Sequence, residues 1–131
     1  MKKHTKKLLT LGMTAGFLAS GCMTAFAAYK DAIGNVVTDG WAIEDGKFLY
    51  IENGTALTNT WKQDSTVWVY LGEDGKAVTN CWRWIDGNQD GVSECYYFDK
   101  DGLMASDTDI EDYTVNADGA WTVDGVVQTK Q

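Results

Sequence analysis

Trp41, Trp61 and Trp82 stand 20 and 21 residues apart, and each opens a similar run of sequence. A Tyr follows nine positions after the first two of them, at Tyr50 and Tyr70. Each run then ends in a tail of one kind, Ala56-Leu57-Thr58-Asn59-Thr60 before Trp61 and Ala77-Val78-Thr79-Asn80-Cys81 before Trp82. Val37-Thr38-Asp39-Gly40 fills the tail position before Trp41, as half a unit. A period this short cannot enclose a core of its own, so the units must bury their faces against one another in an array.

Each unit reads as a β-hairpin. The leading Trp and its apolar neighbours make one short strand, Asp45-Gly46 or the polar cluster Asp64-Ser65-Thr66 turns the chain, and a second aromatic strand returns. Phe48 and Tyr50, like Trp68 and Tyr70, are two apart and share a face. Asn53-Gly54, Asp74-Gly75 and Asp101-Gly102 supply the turns that lead onward. A single hairpin of this size is marginal in water, which favours stacking. The expected fold is all-β, a short β-solenoid of stacked hairpin repeats over 28–111, with a C-terminal capping hairpin and tail over 112–131 whose last residues, Thr129 to Gln131, fray.

Residues 1–27 are set apart from this fold. Lys2, Lys3, Lys6 and Lys7 precede the apolar run Leu8 to Leu18, and Ala25-Phe26-Ala27 offers a cleavage site, the pattern of a secretory signal peptide. The run is too short for a membrane span; a retained anchor and lipidation at Cys22 are the alternatives to cleavage. From residue 28 onward there are seven basic residues against nineteen acidic ones, a net charge of −12. That excludes a nucleic-acid binder, which needs a basic footprint. It attracts a cationic ligand group or a divalent cation and is indifferent to a neutral glycan. His4 is the only histidine, so no Ser-His or Cys-His pair and no His-based zinc site can form after the signal. With no sheltered pocket for a carboxylic acid either, the chain is read as non-enzymatic and secreted or cell-surface.

The third unit is longer: Tyr97 lies 15 residues after Trp82, six more than in the other units. The extra residues fall between Ile85 and Cys95. There Asp86, Asn88, Asp90 and Glu94 alternate oxygen-bearing side chains around Gly91, the spacing of a short calcium-binding hairpin loop. A structural calcium is the expected cofactor; a solvated acidic turn without metal is the competing reading. Cys81 and Cys95 stand too far out of register across the hairpin for a disulfide and are expected as two buried free thiols.

The pattern of Gly-Trp, a turn, Gly-Lys-aromatic-x-Tyr, Asn/Asp-Gly and a Thr-Asn tail resembles the cell-wall/choline-binding repeat family, found also as glucan-binding repeats. The resemblance is strongest from Gly40 to Phe98. It implies a solenoid of hairpins that binds choline-bearing wall polymer or glucan in aromatic cages of two tryptophans and a tyrosine between successive hairpins. A quaternary ammonium donates no hydrogen bond and is held by ring faces and apolar contact. Carried over by position, the ligand-binding residues are Trp41, Trp61, Trp68, Tyr70 and Trp82. Phe48 and Cys95 replace the second-strand Trp in the first and third units, so one full cage is expected, around Trp61 and Trp68 with Tyr70 or Trp82. The alternative is a structural spacer whose aromatics are all core and which binds nothing except calcium. Exposure of the indoles separates the two.

Overall fold

The computed structural model describes residues 28–131, so the signal-peptide reading of 1–27 lies outside the described residues. Every strand pairing among the described residues is antiparallel, and the chain divides into two compact units at the Leu57–Thr58 boundary. The fold is an all-β repeat fold.

In the first unit β1 (Gly40–Glu44), β2 (Lys47–Glu52) and β3 (Thr55–Ala56) form one sheet in that order. Asp45 and Gly46 join β1 to β2, both at positive φ (57° and 76°), the backbone that matches a two-residue turn to strand twist. Ala42, Leu49 and Ile51 are buried on one face, with Tyr29, Val37 and Ala56 packed against them. Trp41, Ile43, Phe48 and Tyr50 occupy the opposite face.

The second unit repeats the hairpin. β4 (Thr60–Asp64) pairs with β5 (Val67–Leu71), and β6 (Cys81–Ile85) pairs with β7 (Ser93–Phe98). The register is conserved from one hairpin to the next: Trp41 faces Tyr50, Trp61 faces Tyr70 and Trp82 faces Tyr97. The six extra residues of the third hairpin lie wholly in its tip and leave the base in phase. Its pairing sets Cys81 opposite Phe98 and Cys95 opposite Trp84, which puts the two cysteines on opposite faces. Both thiols are free; Cys95 is buried, whereas Cys81 is only half-buried.

Two recurring devices close the hairpins of the second unit. After β5 and β7 the chain makes the same turn, Gly72 N–H to Lys76 O and Asp99 N–H to Leu103 O, and it recurs with Asn116 N–H to Ala120 O. Asp99 Oδ1 accepts the N–H of Asp101 and of Leu103, and Asn116 Oδ1 accepts those of Asp118 and Ala120. Gly75, Gly102 and Gly119 hold the left-handed position of these turns (φ 84–85°). The second device explains the Thr-Asn tails. Asn59, Asn80 and Asp107 adopt positive φ (52°, 53° and 51°), which Asn and Asp tolerate best among side chains with a Cβ. Their N–H groups donate to Gly72, Asp99 and Asn116 carbonyls respectively.

The C-terminal part differs from the sequence expectation. A four-stranded sheet runs β8 (Thr108–Ile110), β9 (Tyr113–Val115), β10 (Trp121–Val123) and β11 (Val126–Val127), so the expected boundary at 111/112 falls inside the β8–β9 turn. Its first hairpin keeps the repeat register with the aromatics lost: Asp109 faces Thr114, where the earlier hairpins have Trp and Tyr. The Thr114 hydroxyl donates to Asp109 Oδ1 at 2.7 Å. A polar pair has replaced the ring pair, and this erased the signal. Nor is the tail frayed: β12 (Thr129–Lys130) pairs with the outer edge of β7, Thr129 opposite Glu94 and Lys130 opposite Ser93.

The buried core is aliphatic. Val69, Leu71, Ala77, Ile85 and Val115 line it in the second unit, with Cys95 and one ring, Phe98. No tryptophan belongs to it, and Trp68 is 36% exposed.

Candidate functional site

Alternation along β4 and β5 sends Trp61, Gln63, Trp68 and Tyr70 to the face opposite the core. Trp61 is the hub there. Its ring meets Trp68 edge-on at 6.1 Å and Tyr70 at 5.4 Å within its own hairpin, and Tyr96 at 4.9 Å and Phe98 at 5.7 Å on the next. Trp61, Trp68 and Tyr96 bound a cleft of about 430 Å³, completed by Thr66, Met104, Ser106, Ala117 and Asp118. The Met104 N–H donates to Trp68 O at 2.8 Å, which fixes Met104 beside the indole. Gly87, in the long hairpin tip, backs Trp61 so closely that a Cβ there would lie 2.9 Å from the indole Nε1.

The electrostatics are anionic at the rim. Burial raises the Tyr96 phenol above its usual pKa, and the carboxylates of Glu94 and Asp118 push it further. Tyr96 is therefore a neutral ring facing a negative edge. Tyr70 is also raised by burial, with a partial opposing effect from Arg83, whose guanidinium carbon lies 6.0 Å from the Tyr70 ring.

One repeat further on, a second cleft of about 240 Å³ is lined by Trp82, Trp84, Cys95, Tyr113 and Trp121. It follows the first position by position. Trp82 stands for Trp61, Tyr113 for Tyr96, and Trp121, which follows the Asn116 turn, stands where Met104 follows the Asp99 turn. The remaining wall has changed strands: the first cleft uses Trp68 of β5 opposite Gln63, the second Trp84 of β6 opposite Cys95. Trp84 thus restores the ring that Cys95 removes. Trp82 contacts Tyr97 and Tyr113 at 5.3 and 5.7 Å, and Trp121 contacts Trp84 and Tyr113 at 6.2 and 5.8 Å.

Of the sequence-predicted residues, Trp61 and Trp68 share the first cleft, with Tyr70 against Trp61 behind it. Trp82 lies in the second cleft. Trp41 belongs to the first unit, where it contacts Phe48 at 6.0 Å and Tyr50 at 5.0 Å. Tyr96, Met104, Trp84, Tyr113 and Trp121 were missed. The doublet Tyr96-Tyr97 carried a usable signal, since adjacent strand residues point to opposite faces and one Tyr must leave the hairpin's own ring pair.

At the hairpin tip Asp86 Oδ1 accepts the N–H of Asp90 and Asp86 Oδ2 that of Gly91, while Asp90 Oδ1 accepts the N–H of Val92. Among the described residues no group of three or more His, Cys, Asp or Glu side chains is gathered as a metal site. Nor, among them, is any helix long and apolar enough to cross a membrane.

The repeat fold has counterparts among solved structures. The choline-binding domain of Spr1274 from Streptococcus pneumoniae is 31% identical, with a TM-score of 0.56 over 66% of this chain and 96% of that domain. The chain belongs to the choline-binding repeat family. The choline-binding domain of CbpL from the same species is 28% identical, with a TM-score of 0.54 over 66% of this chain. The modular autolysin LytC is 26% identical, with a TM-score of 0.56 over 77% of this chain. The repeat array spans 43% of the CbpL chain and 22% of LytC. No family model and no curated protein sequence matches the chain.

Proposed function

We propose that this chain is a secreted, non-catalytic cell-wall-binding module that holds the quaternary ammonium of choline-bearing wall polymer in the Trp61–Trp68–Tyr96 cleft. The observation that carries this reading is the convergence of three rings from two hairpins on one open cleft with Asp118 at its rim. A trimethylammonium group gains from each ring face and from partial desolvation, about 0.5–2 kcal/mol per good cation–π contact. The rim carboxylate adds a long-range attraction that a neutral glucan does not feel. The chains it resembles include the choline-binding domains of Spr1274 and CbpL and the modular autolysin LytC, and surface attachment fits these settings. In the tip, the proposed structural calcium would be held by Asp86, Asn88, Asp90 and Glu94 in exchange for the N–H bonds that Asp86 now accepts.

The test is tryptophan fluorescence of residues 28–131 titrated with choline and, separately, with soluble glucan. A saturable change with choline, lost in Trp68→Ala, supports the proposal. A response to glucan alone reassigns the cleft to carbohydrate, and silence to both in the folded protein leaves a structural spacer.

A further inference from the structure

The second aromatic cleft carries a charge that the first does not. β12 lies along β7 with Lys130 opposite Ser93, on the face that also holds Cys95 and Tyr97. There the Lys130 ammonium stands 5.6 Å from the centroid of the Trp84 ring, one wall of the cleft. A second observation puts the same charge at another wall: Lys130 works against the burial that raises the Cys95 thiol pKa. Asp118 lines the first cleft, where the Arg83 guanidinium reaches only the Tyr70 ring behind Trp61, whereas Lys130 stands at a ring wall of the second.

We infer that Lys130 is the specificity-determining residue of the second cleft: its ammonium, seated beside Trp84, rejects a free quaternary ammonium and leaves the cleft to uncharged ligands of similar shape. This rests on the cage reading of the first cleft only for the comparison between them. The physics is like-charge repulsion at short range, together with competition for one ring face. The ligand class is an uncharged molecule with a compact apolar face that packs against indole.

The experiment uses the intact described chain and follows the indole N–H resonances of Trp84 and Trp121 beside those of Trp61 and Trp68. The probes are choline and its carbon analogue, in which a tert-butyl group replaces trimethylammonium. In the unaltered protein choline shifts Trp61 and Trp68 at concentrations that leave Trp84 and Trp121 still, whereas the carbon analogue shifts Trp84 and Trp121. Lys130→Gln raises choline affinity at the second cleft by about five- to tenfold and leaves the analogue's affinity within about twofold. Lys130→Arg, which keeps the charge, restores the rejection. The inference is overturned by equal choline affinity at the two clefts, by a Lys130→Gln variant no better for choline, or by neither probe moving Trp84 in any variant. If choline leaves Trp61 and Trp68 unmoved, the proposed function fails; the comparison of the two probes at Trp84 still decides the role of Lys130.

Discussion

Tyr96 meets Trp61 edge-on, with ring centroids 4.9 Å apart and 80° between the planes, although the two belong to different hairpins. The contact makes the first cleft a property of the junction. Tyr96→Ala is expected to weaken choline binding about tenfold while Tyr97→Ala, on the opposite face of β7, leaves the first cleft within about twofold. Isothermal titration of both variants checks it; equal losses would show that the doublet acts through stability.

Gly87→Ala probes the support behind Trp61. A methyl group 2.9 Å from the indole Nε1 has no room unless the ring or the tip moves. We expect a several-fold loss of choline affinity with the β-sheet circular dichroism spectrum unchanged. An unaltered affinity would mean that the tip gives way and the ring does not.

Phe98 is fully buried and touches Trp61 from below. Truncation to Ala is expected to cost about 3–5 kcal/mol by urea denaturation. It is the variant with which to separate loss of fold from loss of site, since the Tyr96 and Gly87 variants are expected to lose less stability than Phe98→Ala.

Two half-buried phenols contribute to the alkaline limit of stability. Tyr70 and Tyr96 both have raised pKa values in the folded protein, so the folded state holds their protons more tightly than the unfolded chain does. Their contribution is fully present below the usual tyrosine pKa of about 10 and is lost as pH rises above it. The midpoint of urea denaturation is expected to be insensitive to these two groups from pH 7 to 9 and to fall above 10. Tyr96→Phe should reduce that fall.

The acidic tip separates a metal site from a self-closed turn. Asp86→Ala removes the acceptor of two backbone N–H groups and is expected to lower stability by about 1 kcal/mol in chelator. If calcium is held there, millimolar calcium raises the parent's melting temperature saturably and leaves Asp86→Ala unmoved. A parent that does not respond to calcium assigns Asp86 to the turn alone.

The pairing within each hairpin was legible in the sequence because strand alternation and the Trp–Tyr spacing fix which rings face one another. Trp61 and Trp68 as ligand-binding residues came from the family resemblance, carried over by position. What lay across the junctions was not. Met104 reaches the first cleft through the turn after β7 and leaves no mark on local periodicity, and Tyr96 is marked only by its doublet with Tyr97. The second cleft was hidden differently: Cys95 reads as a lost ring until pairing shows Trp84 directly across from it. In the fourth hairpin Asp109 and Thr114 preserve the register while discarding the residues by which a repeat is recognised.

The joint made by Asn59, Asn80 and Asp107 has an evolutionary consequence. Each donates its N–H to a carbonyl at the far end of the hairpin that follows it, at Gly72, Asp99 and Asn116. A gene segment cut from one joint to the next therefore encodes a cassette that carries both ends of its own clasp. Unequal recombination between copies can add or delete such a cassette while every copy keeps its own clasp. Copy number can then drift freely, while the rings, which must meet across a seam, are what selection has to keep in step.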